Sequence, residues 1–166
     1  MSHAPMSADS SEAGLKLDAY LPYRLSVASN AVSGLIARAY QDRFGLTIPQ
    51  WRVICVLAED GRTTQGQIVG RTFMDKVTVS RAVQGLAARH LVDRSEHHAD
   101  GRSHMLALTG EGRRLFAEVA PMALAYEAAL ISGLGPSEVA LLRRLLARLQ
   151  TAAASLAGEA EPPPIG

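Results

Sequence analysis

The segment TTQGQIVGRTFMDKVTVSRAVQGLAARHLVDRSEHHADGRSHMLALT, Thr63 to Thr109, decides the fold. It reads as a helix, a short turn and a second helix, then two strands joined by a charged loop. The second helix starts after Asp75, whose carboxylate can accept the free backbone N–H groups of the first turn. Val79, Ala82, Val83 and Leu86 recur at the spacing of one helical face, so that face is expected to be buried. The opposite face carries Val77, Arg81, Gln84 and Ala88, with Lys76 at its start and Thr78 and Ser80 on its flanks. Such a face suits the major groove: Arg can bind guanine bidentately, Gln can bind adenine, and a small apolar group can touch the thymine methyl. Leu91–Glu96 and His104–Thr109 flank the polar tip His97–Ser103 and are expected to pair as a hairpin.

A helix–turn–helix followed by a hairpin is a winged helix–turn–helix. The order DKVTVSRAVQGLAARHLVDRS (75–95) and ADGRSHMLALTGEG (99–112) resembles the multiple-antibiotic-resistance regulator (MarR) family of bacterial transcription factors. More weakly, the resemblance extends from about Leu21 to Leu156. It implies a mainly α fold with a small β-hairpin wing, flanked by N- and C-terminal dimerisation helices. It also implies that the second helix lies in the major groove. In the wing, an Asp-x-Arg pair, here Asp100 and Arg102, would brace an arginine for the backbone or minor groove. The expected DNA-contacting set is Lys76, Val77, Thr78, Ser80, Arg81, Gln84, Arg94, His98, Asp100 and Arg102. One departure stands out. Where the family usually has Gly after the second helix, in a left-handed conformation, this chain has His90, a residue enriched among the non-glycines that adopt positive φ.

At 166 residues the chain is long enough for one domain with a real core, and 48% hydrophobic residues argue against global disorder. No run approaches the roughly 18 apolar residues of a membrane span. The opening MSHAPMSADSSEAG has no basic segment followed by an apolar core, so no secretory signal is expected. The single cysteine excludes an internal disulfide. A cytoplasmic protein is the simplest expectation. Net charge is only +1, but it is unevenly placed. Residues 71–114 hold eight Lys and Arg against five Asp and Glu, whereas residues 1–70 balance and residues 115–166 are net acidic. The positive excess falls on the winged segment, beside four histidines, where phosphate contact would need it.

Residues 1–17 and 157–166 are expected to be disordered, leaving one domain over 18–156. Within it, dimerisation helices are expected at about 18–44 and 110–156, around a winged helix–turn–helix at about 47–109. The first helix should run from Leu21–Pro22 to Phe44. Its middle, Leu25–Ala37, has no charged residue, which for a helix in so small a chain implies cover by a partner subunit. Gly45–Pro49 breaks it, with Thr47 or Ile48 near the next cap and Pro49 in the first turn. In the following helix Trp51, Ile54, Cys55 and Ala58 share a face. Cys55 reads as a small buried hydrophobe; a redox-sensing cysteine is the alternative. Glu59–Arg62 is read as a turn. The helix after Thr109 should be kinked or divided at Pro121. The last helix places Val139, Leu142, Leu145, Leu146 and Leu149 on one side, with Arg143, Arg144 and Arg148 beside them.

A nucleophile elbow, a phosphate-cradling glycine loop, a metalloprotease His pair and paired Cys motifs are all absent, so no enzyme and no cofactor is expected. His97, His98 and His104, with Glu96 and Asp100, fall in a polar loop that would fix metal ligands poorly, and no metal site is expected. The resemblance implies a pocket between the dimerisation helices and the DNA-binding lobe for a small aromatic carboxylate or phenol. Tyr23, Arg24, Ser29, Asn30, Trp51 and Arg52 can supply its polar groups and a stacking ring. Equally, Trp51 can be core, Ser29 a close-packing residue and the arginines solvated. The composite expectation is a homodimeric repressor bound to double-stranded DNA at a pseudo-palindromic operator, with half-sites roughly 10 bp apart, and released by a small effector. A winged helix used only for protein–protein contact is the alternative. The exposed Lys76, Arg81 and Gln84 count against it, because interface cores exclude charge.

Overall fold

The computed structural model describes residues 14–96 and 104–158. They form a single 3-10 turn at Leu17–Ala19, then α1 (Leu21–Phe44), α2 (Ile48–Asp60), β1 (Arg62–Thr64), α3 (Gln65–Thr72) and α4 (Lys76–Ala88). The strands β2 (Val92–Glu96) and β3 (His104–Leu108) follow, then α5 (Gly110–Leu130) and α6 (Pro136–Gly158). The expected disorder at 1–17 and 157–166 lies mostly outside the described residues. Leu17 and Gly158 fall inside helical elements instead. No helix among the described residues is long and apolar enough to cross a membrane.

Local chemistry explains the helix boundaries. Gly45 ends α1 at φ 59°, a left-handed cap that a side chain would strain. Thr47 and Gln50 form a capping box at the start of α2: the Gln50 N–H donates to Thr47 Oγ1 at 3.3 Å and the Thr47 N–H to Gln50 Oε1 at 3.0 Å. Thr64 and Gln67 repeat the device at α3, and the buried Thr63 hydroxyl adds a third donor to Gln67 Oε1 at 2.9 Å. The glycines of α3 weaken it as an isolated helix, and fully buried Ile68 anchors it instead.

α2 is the hub, packing against α1, α3, α4, β1 and β3. Its solvent-shielded residues are Val53, Ile54, Val56 and Leu57. This corrects the expected face of Trp51, Ile54, Cys55 and Ala58, of which only Ile54 is buried. The spacing of those residues was read correctly as a face. A helix enclosed by five neighbours, however, hides more than one stripe.

β1 is the second correction. Arg62–Thr64, read in part as a turn, pairs antiparallel with β3 (Thr63 opposite Leu106), so the sheet has three strands in the order β1-β3-β2. β2 and β3 pair as expected, with Val92 opposite Leu108 and Arg94 opposite Leu106. Leu106 and Leu108 of β3 point into the core with Leu91 and Val92. Of the two outcomes expected at Pro121, a kink or a division, α5 shows no division: it runs unbroken through the proline. The proline and Ala117, whose carbonyl loses its N–H partner, are both exposed, so water can satisfy the freed group.

The chain clusters into two compact units that part between Phe116 and Ala117. In the second unit, Arg143 of α6 donates to Glu127 of α5 at 2.9 Å. In the first unit, the turn after α4 is closed by His90 at φ 56°, the left-handed residue expected there. The Leu91 N–H reaches back to Leu86 O at 3.0 Å, and the Thr109 N–H donates to Leu91 O at 3.1 Å. Gly112, in the first turn of α5, crosses directly over this turn. A Cβ built on Gly112 would lie 2.1 Å from Leu91 O and 3.2 Å from Leu108 Cδ2. Since backbone cannot rotate aside as a side chain can, Gly112→Ala should destabilise the protein by about 1–3 kcal/mol, the usual cost of overpacking. Urea denaturation monitored by circular dichroism measures this, and an unchanged midpoint would contradict the close crossing.

Candidate nucleic-acid interface

Asp75 starts α4 as expected. One carboxylate oxygen accepts the Thr78 N–H at 2.8 Å and the other accepts the Thr78 hydroxyl at 2.6 Å. These bonds, the hydroxyl first, hold the Asp75 carboxyl below its ordinary 3.8. A charged cap at the positive end of the helix dipole adds to the effect. On the inner face Val79, Val83 and Leu86 have no solvent exposure and Ala82 has little. Their burial fixes the rotation of the helix about its axis and so turns the other face outward.

That outward face carries what the sequence placed there. Lys76, Val77, Arg81, Gln84 and Ala88 are exposed, and Thr78 and Ser80 are half-buried on the flanks. The Gln84 side-chain amide approaches Ser80 Oγ at 3.4 Å, so the two polar groups are presented together. Thr78 is a qualified member, because its hydroxyl proton is committed to Asp75. It can accept from a base amine but cannot donate to a phosphate. In the wing, Arg94 of β2 is exposed. His98, Asp100 and Arg102 lie outside the described residues.

Two arginines without a motif of their own brace this part of the fold, one at the end of α4 and one on α3. Arg89, just past the end of α4, donates from its two terminal nitrogens to Gly45 O and Phe44 O, each at 2.9 Å. The C-terminal carbonyls of α1 and the end of α4 are thereby joined through one guanidinium. Arg71 of α3 forks onto Glu59 and Asp60 at the end of α2. Both pairs bridge more than ten residues of sequence, so no local pattern announces them.

The six residues considered for an effector site are placed as follows. Tyr23, Arg24, Ser29 and Asn30 lie along exposed α1, and Arg52 is exposed on α2. Trp51 is half-buried between two aromatic rings, 5.4 Å from Tyr40 and stacked on Phe116 at 5.7 Å. None of the six lines the cleft of about 320 Å³ formed by Leu57, Ala58, Gly61, Leu108, Arg113 and Phe116. Its walls are mainly apolar, and Arg113, which donates one bond to Leu108 O at 2.8 Å, supplies the cation.

Comparison with known proteins agrees with this geometry. A family model described as the MarR family matches residues 44–103. The chain is 32% identical to a structurally characterised probable transcriptional regulator from Pseudomonas aeruginosa, covering 81% of this chain and 99% of that one with a TM-score of 0.71. It is 27% identical to BpsR of Bordetella bronchiseptica, covering 82% and 96% of the two chains with a TM-score of 0.76. That structure concerns regulation of BpsR DNA binding by 6-hydroxynicotinic acid. The transcriptional repressor NicR of Pseudomonas putida is 32% identical over 78 residues, which cover 47% of this chain and about half (49%) of that protein.

The thiol of Cys55 bears on the redox alternative. Burial, with a smaller contribution from the Glu59 carboxylate, pushes it up to about 12. Thiolate is the reactive form, so this environment is the reverse of a sensor's. At pH 8, iodoacetamide should label Cys55 in the folded protein at least about a hundredfold more slowly than an unperturbed thiol, whose pKa is about 8.5. Unfolding in urea should restore the ordinary rate. Fast labelling of the native protein, read by mass spectrometry, would return Cys55 to consideration as a sensor.

Proposed function

The chain belongs to the MarR family of winged helix–turn–helix, DNA-binding transcription regulators, and from that premise we propose that it is a homodimeric repressor released from its operator by a small aromatic carboxylate or phenol. The observation that carries the DNA-reading part is the outward strip of α4. Lys76, Arg81 and Gln84 are exposed there, and Arg81 makes no hydrogen bond or ion pair among the described residues. An unspent guanidinium at the centre of a short exposed helix face can bind O6 and N7 of guanine together. Gln84 beside it suits adenine, and Lys76 and Arg94 suit phosphate. Asp100 and Arg102 keep the wing role implied by the family.

The dimer is supported by two apolar surfaces that the single chain leaves open. α1 exposes Leu25, Val27, Val32 and Leu35 along its uncharged stretch. α6 contains no buried residue, and Leu142, Leu145 and Leu146 each remain about 40% exposed (43%, 43% and 41%). Soluble monomers do not leave two such stripes in water. A second copy covering them by two-fold symmetry would present two α4 helices to successive major grooves, with half-site centres roughly 10 bp apart.

For the effector, the cleft beside Phe116 has the chemistry of a small-ligand site: apolar walls, an aromatic ring and one cation. Because it joins the end of α2 to the base of the wing, a ligand there would bias the placement of the wing. BpsR, which responds to 6-hydroxynicotinic acid, shows that an aromatic acid can regulate a related protein.

Selection of random duplexes on the purified protein should yield a pseudo-palindrome. At that operator Arg81→Ala should cost roughly 1–3 kcal/mol and relax preference at one base pair per half-site; equal affinity of variant and parent by gel shift would sink the assignment. In a thermal-shift screen, aromatic acids should raise the melting temperature of the parent protein and raise that of Arg113→Gln less. An equal rise in both would place the ligand elsewhere.

A further inference from the structure

At the corner between α3 and α4, the chain carries a residue that local stability does not account for. Phe73 is left-handed at φ 54° and ψ 19°, and its side chain is 74% exposed. The backbone conformation is dictated by its surroundings: the Phe73 N–H closes α3 onto Val69 O at 3.1 Å, and α4 begins two residues later at the Asp75 cap. The ring is not dictated by them. Glycine would take this conformation without strain and without exposing an aromatic surface. Met74, by contrast, turns inward and is buried, so the corner separates an anchor from a projection. Val77, on the first turn of α4, is also 58% exposed. The otherwise polar strip of Arg81 and Gln84 thus has an apolar N-terminal end. That is the end of a recognition helix which approaches base edges.

Among the groups presented in the major groove, the apolar one is the thymine C5-methyl. We propose that Phe73 is a specificity-determining residue that packs on a thymine methyl at one position of each half-site. This rests on the reading of α4 as the groove-reading helix. The ring could otherwise lie against deoxyribose, a contact indifferent to sequence, and the experiment separates the two.

Taking the operator selected with the parent protein, each thymine is replaced in turn by deoxyuridine, which lacks only the methyl. At one position per half-site the parent should bind about fourfold more weakly, the equivalent of one buried methyl group. Phe73→Gly should melt no lower than the parent, bind the unmodified operator more weakly by a similar factor, and show no further loss at that position. Phe73→Asn, polar and tolerant of left-handed backbone, should behave in the same way and keeps the test valid if the glycine variant loses stability. The proposal is overturned if the parent is indifferent to every deoxyuridine. It is equally overturned if the variants keep the penalty, or if they lose affinity uniformly across unrelated duplexes. Failure to select any duplex would strike at the proposed function itself; an operator bound without the methyl signature would strike only at Phe73.

Discussion

Val79, Val83 and Leu86 lie on one side of α4 with no exposure to solvent, and the direction in which the polar face of that helix points depends on their burial. Each such side chain is worth about 1.5–3 kcal/mol when removed from water. Rotating the helix by one residue would bring some of them out and drive Arg81 or Gln84 inward, where a guanidinium or amide would need partners the core does not hold. The hydrophobic effect therefore aims the polar face. Asp75 fixes where that face begins, because its carboxylate holds both the Thr78 N–H and the Thr78 hydroxyl. A cap and a buried stripe together set origin and phase, and a helix that reads bases needs both.

The surroundings of α4 convert this local geometry into a position relative to the rest of the unit. β3 is held on both edges, by β1 and β2, and Gly112 allows α5 to cross tightly over the turn at Leu91. Arg89 carries two hydrogen bonds from the end of α4 to the last carbonyls of α1. Cations at a helix C-terminus are favourable in themselves, and here the same bonds join the helix proposed to read DNA to the helix proposed to meet the partner subunit. In a two-fold dimer, a shift of α1 would therefore be felt at α4. The cleft proposed for the effector, at the junction of α2, β3 and α5, lies within the same connected set of elements.

The charge pattern has a related logic. A net charge of +1 would give little general attraction to DNA, but the excess is confined to residues 71–114. Within that range Arg71, Arg89, Arg113 and Arg114 are drawn onto carboxylates or backbone carbonyls of the chain itself. Lys76, Arg81 and Arg94 are the exposed cations not drawn into such contacts among the described residues. Counting basic residues overstates the surface available to phosphate, and only the fold shows which are spent.

The sequence by itself determined the features governed by local chemistry. These were the extents of α1, α2 and α4 to within a residue or two, the Asp75 cap, the buried stripe of α4, the β2–β3 hairpin and the left-handed turn at His90; for the α2 cap the sequence left Thr47 or Ile48, and the structure has Thr47. The caps, the stripe and the turn each depend on residues within about four positions of one another, and the hairpin pairs strands that follow one another in sequence, so periodicity and capping rules reach them. The tertiary structure decided the rest. β1 is three residues long, too short for an alternation to be read, and exists because β3 offers it an edge. The inner face of α2 shifted because five neighbours enclose that helix, which one-stripe reasoning does not anticipate. Thr78 lost its free proton to the cap, and Arg89, Arg71 and the cleft at Phe116 join residues far apart in the chain. The sequence names Phe73, but its left-handed backbone and its exposure are set by how α3 and α4 meet at their corner. Side-chain identity is local, but which side chains remain unspent is settled by packing.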